Sequence, residues 1–171
     1  MMEQRFHILV GDITQQNTEA IVNASNTSLT GGGSVDAAIH KAAGPQLLEA
    51  CRGLGGCPAG EARLTPGFDL PARWVIHTPG PMWQGGDHQE AEHLAASYRA
   101  CLELARREGI RSLSFPSIST GTFHFPVNQA AGIAVRTILD FLREDDTLEL
   151  VQLVCFDQRT AMVYEIALRQ A

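Results

Sequence analysis

Three consecutive glycines, Gly31-Gly32-Gly33, lead into Ser34-Val35-Asp36-Ala37-Ala38-Ile39-His40, which reads as the opening of a helix. In a glycine run, backbone N–H groups converge on an anion without interference from Cβ atoms. A helix N-terminus adds unpaired donors and the positive end of a dipole. The junction therefore suits phosphate. Just inside it sits a carboxylate, Asp36, which would repel a phosphate and so needs a reason to be there. A structural reason exists: an acidic residue in the first helical turn gains about 0.3–1 kcal/mol from the dipole, and Ser34 suits the N-cap. The chemical alternative is acid–base work on a phosphate-bearing ligand. The segment is neither a G-x-G-x-x-G fingerprint nor a P-loop with its Lys-Ser/Thr.

A second polar loop, Ser119-Thr120-Gly121-Thr122, offers N–H and hydroxyl donors of the same kind. Two such loops side by side would hold a diphosphate, which implies a nucleotide-like ligand. Asp12 is suited to accept from an exocyclic amine and Phe156 to stack on a base, a pair that adenine would satisfy. Both residues also have structural readings, Asp12 as a turn or N-cap residue and Phe156 as core packing at a strand end.

The elements that would position these residues follow from the apolar pattern. Phe6–Val10, Glu19–Asn23, Arg73–His77, Arg111–Phe115 and Leu148–Phe156 read as strands, several continuous enough to be buried on both faces. Glu90–Glu108 carries Ala91, Leu94, Ala95, Tyr98, Cys101, Leu102 and Ala105 at helical spacing and stops at Gly109. Val127–Arg143 does the same with Ala130, Ala131, Ala134, Val135, Ile138, Leu139 and Leu142, entered through Pro126. Arg159–Arg169 forms a last helix. This alternation predicts an α/β fold, a three-layer α/β/α sandwich around a mixed, mostly parallel sheet. Ligands then bind at the C-terminal strand ends, where the polar segments after Val10, Val22, Phe115 and Val154 fall. Gln84-Gly85-Gly86-Asp87 reads as a mobile loop.

With 171 residues, the chain fits one domain spanning 1–171. No apolar run approaches the ~20 residues of a membrane span, and the first residues carry no signal-peptide pattern, so a cytoplasmic location is expected. Cys51, Cys57, Cys101 and Cys155 form no C-x-x-C pair and the histidines no ligand pair; neither a metal nor another cofactor is called for. The net charge of −6 disfavours nucleic-acid binding, which draws on Lys and Arg. An anionic ligand must be held by backbone amides.

The motifs Gly11-Asp12-Ile13-Thr14, Ile21-Val22-Asn23-Ala24-x-Asn26 and Gly31-Gly32-Gly33-x-Val35-Asp36-x-x-Ile39-His40-x-Ala42-Ala43-Gly44-Pro45 resemble the macrodomain signature in its MacroD-type hydrolase branch. So do Gly56-Cys57-Pro58, Val75-Ile76-His77-Thr78-x-Gly80-Pro81-x-Trp83, Phe115-Pro116-x-Ile118-Ser119-Thr120-Gly121 and Cys155-Phe156-Asp157. The likeness covers nearly the whole chain and is strongest to bacterial O-acetyl-ADP-ribose deacetylases.

The resemblance implies a cleft for ADP-ribose, with Asp12 and Ile13 at the adenine, Phe156 packed on it, and Gly31–Ser34 with Ser119–Thr122 around the diphosphate. It implies that Asn26 orients the distal ribose near Phe123 and that Asp36 is the catalytic carboxylate. Asn23, Val35 and His40, within the same motifs, join the binding set. His40 falls four residues after Asp36 and reads as a supporting side chain. The implied reaction is hydrolysis of an ester between the distal ribose and an acyl group, acetate or a protein Asp/Glu carboxylate, with Asp36 or a substrate phosphate as base. The implied partners are ADP-ribosylated proteins and O-acetyl-ADP-ribose. N-glycosidic arginine links should resist. Ser34 replaces a fourth glycine and His124 a glycine after the aromatic, both bearing on substrate preference. A reader that binds ADP-ribose without turnover is the alternative, and an RNA-associated partner a third reading that the acidity opposes.

Overall fold

The computed structural model describes residues 3–171. Six strands form one sheet: β1 (Phe6–Val10), β2 (Ala20–Ser25), β3 (Arg63–Pro66), β4 (Trp74–Pro79), β5 (Ser112–Phe115) and β6 (Leu150–Cys155). Their order is β1-β6-β5-β2-β4-β3. Every neighbouring pair is parallel except β3–β4. β3 is absent from the apolar reading because Arg-Leu-Thr-Pro holds one apolar side chain apart from its proline and lies at an edge, where Pro66 removes no needed donor.

Five helices cover the sheet: α1 (Ser34–Ala43), α2 (Pro45–Arg52), α3 (Glu90–Arg107), α4 (Val127–Glu144) and α5 (Gln158–Gln170). The strand alternation divides the core into two. Ala20, Val22 and Ile76 face a cluster with Leu94, Tyr98 and Leu102 of α3 and Ala134, Ile138 and Phe141 of α4. Ile21 and Val75 face the other cluster, with Ile39 of α1 and Leu47 and Cys51 of α2. A sheet with helices packed on both faces is the expected three-layer α/β/α sandwich. All the apolar positions expected of α4 are buried. In α3, Ala91 is exposed and Ala95 half-buried, and Ser97 and Leu104 are buried instead, so the stripe is rotated slightly from the expected one.

Connections from β2 and β5, neighbours in the sheet, lead to opposite sides. β5 continues through α4 to β6, while β2 leads through α1 and α2 toward β3 and β4. A crevice opens between the C-terminal ends of such a pair. The loops after β2 and β5 are those with the polar motifs.

The Gln84–Asp87 segment is not the free loop expected. Gln84 N and Gly86 N donate to Glu90 Oε2 at 2.8 and 2.9 Å, and His88 N to Oε1 at 2.7 Å. Glu90 is itself buried. Burial works to raise its pKa, but the converging amides outweigh it and hold the carboxyl down at about 2.

Candidate active site

A cleft of about 330 Å³ opens at this switch point. One wall is Ala24, Ser25 and Asn26 with Gly32–Val35; the other is Ser117, Ser119, Gly121, Thr122 and Phe123, with Gly80 at the floor. A larger groove, about 770 Å³, runs along the flanks of α4 and α5 and holds none of the residues that the motifs single out.

The glycine run works through its backbone. The N-cap of α1 is Gly33, not Ser34, with φ −71° and ψ 173°, and no side chain caps the helix. The first-turn N–H groups of Ser34, Val35 and Asp36 precede the first intrahelical bond, from Ala37 N to Gly33 O at 2.8 Å, and are free to meet an anion. Opposite, Ser119 holds a left-handed backbone, φ 67°, of the kind that clusters at ligand sites. The loop closes on itself through Phe125 N to Ser119 O, 2.9 Å. Gly80 is required beneath it: a Cβ there would lie 2.2 Å from Ser119 Oγ. His124 also has a left-handed backbone, φ 58°, the conformation that favours glycine.

Asn26 lines the cleft, but its amide is spent on its own loop. Nδ2 donates to Gly31 O at 3.0 Å, and Oδ1 accepts from Thr30 N at 3.1 Å and Ser28 Oγ at 3.0 Å. Gly31 is a partner in that closure and not a wall of the cleft. Thr120 likewise faces Ser117, with 2.6 Å between hydroxyls.

Asp36 departs furthest from its expected setting. It is 1% exposed. Its Oδ1 accepts from Asn23 Nδ2 at 2.8 Å and lies 3.2 Å from His40 Nε2. Asn23, expected among the binding residues, is fully buried and holds Asp36 instead. His40, half-buried, supports Asp36 from one turn along, as its spacing suggests. The sequence did carry the signal: Asp36 is in phase with the buried Ile39 and Ala43 on one face of α1.

At the far end of the sheet edge, Phe156 is 92% exposed, which rules out core packing. Asp12 is exposed and caps a 3-10 turn, Ile13–Gln15, by accepting from Thr14 N at 2.9 Å and Thr14 Oγ1 at 2.7 Å. Ile13 is buried in the α1 core cluster. Asp157 caps α5 through Thr160 N, 2.8 Å. Among the described residues, the buried side-chain polar atoms without a partner are Asn23 Oδ1, Ser25 Oγ, Asp36 Oδ2 and Ser119 Oγ. Each such atom costs about 1–3 kcal/mol. All four lie in or beneath this one cleft. The sequence reading gave no role to Ser25, Gly80 or Ser117, though Gly80 stands in one of the motifs and Ser25 and Ser117 occupy open positions of two others.

Residues 22–134 match the Macro domain family. The chain is 51% identical to an O-acetyl-ADP-ribose deacetylase of Salmonella typhimurium over 99% of its own length and 97% of that protein. It is 54% identical to a macro domain-containing protein of Lactiplantibacillus plantarum, covering 94% of each chain. In structure it matches an Oceanobacillus iheyensis macrodomain with ADP at a TM-score of 0.90 and 47% identity, covering 94% of this chain and 88% of that one. A Trypanosoma brucei macrodomain in complex with ADP-ribose matches at 0.90 and 40%, over 95% of this chain and 68% of that one. The chain belongs to the macrodomain family.

Proposed function

We propose that this protein binds ADP-ribose in the cleft between the Gly32–Val35 and Ser119–Thr122 loops and hydrolyses acyl esters of its distal ribose. The observation that carries the reading is the gathering of buried, unpartnered polar atoms under one cleft walled by two anion-ready loops. The relatives named O-acetyl-ADP-ribose deacetylase supply the acyl chemistry. In this reading the diphosphate lies on the N–H groups at the start of α1 and on the Ser119–Thr122 loop, the adenine on Phe156 beside Asp12, and the distal ribose by Asn26 and Phe123.

Asp36 is the catalytic carboxylate of the reading, and its free Oδ2 is the atom that takes part. The attacking water bonds to the acyl carbon as the bond from that carbon to the ribose oxygen breaks. The water proton passes to Asp36 and then to the departing ribose oxygen. A base in this position contributes roughly 10²–10⁴-fold. Because Oδ2 is sealed in the structure, ligand seating against Gly32–Ser34 must uncover it. Substrates are O-acetyl-ADP-ribose and proteins bearing ADP-ribose on Asp or Glu. Four unpaired, buried cysteines support a cytoplasmic setting, and no helix among the described residues is long and apolar enough to cross a membrane.

The test is release of ADP-ribose from a glutamate-linked mono-ADP-ribosylated protein, beside an arginine-linked one, with O-acetyl-ADP-ribose as the small ester. Cleavage of an ester but not of the arginine link is the expected result; cleavage of the arginine link would overturn the restriction to esters, and cleavage of no ester would refute the hydrolase reading. A reader without turnover has one observation in its favour, the burial of Asp36. ADP-ribose binding with no ester cleaved would establish it.

A further inference from the structure

Behind Asp36 a row of buried polar side chains crosses three strands. Asn23 on β2 and His77 on β4 are directly paired in register, and Thr65 lies beyond on β3. Asn23 and His77 are fully buried and Thr65 nearly so. Asn23 Nδ2 lies 3.2 Å from His77 Nδ1, and His77 Nε2 lies 2.9 Å from Thr65 Oγ1. The mechanism proposed above uses none of His77, Thr65 or Cys51.

The polarity of the row is fixed from its carboxylate end. Asp36 Oδ1 needs a donor, so the Asn23 amide must turn its NH2 toward it. The second N–H of that same nitrogen then points at His77 Nδ1, which must accept. A neutral His that accepts at Nδ1 carries its proton on Nε2, and that proton goes to Thr65 Oγ1. Burial, assisted by His40, lowers the His77 pKa to about 3, so the ring stays neutral. Cys51 Sγ, 3.7 Å from Nε2, stays a thiol, since burial and then Asp36 push its pKa up to about 11.

We propose that His77 is a positioning residue of this site: its Nδ1 lone pair locks the Asn23 amide so that Asp36 Oδ1 is held and Oδ2 is left free. Turned over, the amide would set Asn23 Oδ1 against Asp36 Oδ1 at 2.8 Å and against Nδ1 of this His77 tautomer, so the ring would have to give up its Nε2–H bond to Thr65 to meet it. Without His77, one N–H of Asn23 has no buried partner and the amide is free to leave Asp36. This inference rests on the reading that Asp36 carries the chemistry.

The experiment compares His77→Leu, His77→Asn and Asp36→Ala for turnover of O-acetyl-ADP-ribose and, by calorimetry, for ADP-ribose binding. His77→Leu removes the acceptor; His77→Asn returns a carbonyl near the position of Nδ1. Expected is a fall in kcat on the order of tenfold for His77→Leu, with KM and ADP-ribose affinity unchanged and most of the loss recovered in His77→Asn. Equal losses in both His77 variants, or none in His77→Leu while Asp36→Ala is inactive, would overturn the positioning role and leave the function intact. An active Asp36→Ala would instead overturn the catalytic role of Asp36 on which this inference rests. Should His77→Leu fail to fold, ring nitrogen NMR of the unaltered protein decides: an Nε2–H tautomer is expected, and an Nδ1–H tautomer would overturn the proposal.

Discussion

Phe156 stands 92% exposed at the end of β6, whereas Asp36, along the same sheet edge, is 1% exposed. Phe156 contributes nothing to the core, and Asp12 near it serves only a short turn. Asp36 is held by Asn23 and His40 and backed by a polar row that reaches the edge strand. One end of this sheet edge is therefore exposed surface, which the proposed reading gives to the adenine. The other is a piece of the interior in which side chains are already oriented. Residues of the first kind can be removed without touching the fold; removal of the second leaves buried donors unpaired, at about 1–3 kcal/mol each. Recognition and reaction should separate along that line.

The largest expected effect is at the buried end. Asp36→Ala should lower ester turnover by at least about 10²-fold while ADP-ribose affinity, read by calorimetry, stays close to that of the unaltered protein. It should also lower Tm, by about 2–4 °C per kcal/mol lost for a chain of this size, because Asn23 loses its acceptor. Phe156→Ala should do the reverse: ADP-ribose Kd rises about tenfold, the loss of one base–aromatic stack, with Tm and kcat unmoved. A Tm drop in Phe156→Ala, or lost affinity in Asp36→Ala, would break the comparison.

Glu90 extends the contrast to acid. Its folded pKa, about 2, lies below the ordinary 4.5, so its stabilisation is complete above pH 4.5 and is lost as pH falls toward 2. Denaturant titrations of the protein and of Glu90→Gln should therefore differ by a constant amount above pH 4.5 and converge below it. A gap unchanged down to pH 2 would show that the carboxylate charge does not pin the Gln84–His88 turn. The smallest effect belongs to His124→Gly. Relief of the left-handed backbone, about 1 kcal/mol, is offset by the extra chain entropy of glycine, so stability should shift by less than about 1 kcal/mol in either direction; a larger gain would mark real strain in the loop over Phe123.

The parallel strands were legible because most carry short apolar runs and β5, Ser-Leu-Ser-Phe, alternates, and α3 and α4 because their apolar residues recur every three or four positions. β3 and α2 were not: β3 has one non-proline apolar residue in four, and α2 buries two side chains, Leu47 and Cys51, over two turns. The loops of the cleft could be read from their glycines and hydroxyls. Their internal bonding could not: nothing local in the sequence shows that the Asn26 amide closes the Asn26–Gly31 turn. Gln84–Asp87 looked mobile because local composition says nothing of a carboxylate three residues on that gathers its amides.

The most direct test is a crystal structure of the protein with ADP-ribose, read at Asp36 Oδ2. The account predicts the diphosphate on the N–H groups of Ser34–Asp36 and the Ser119–Thr122 loop, the adenine on Phe156, and Oδ2 opened to a water beside the distal ribose. A bound ligand that leaves Oδ2 sealed would contradict Asp36 as the base.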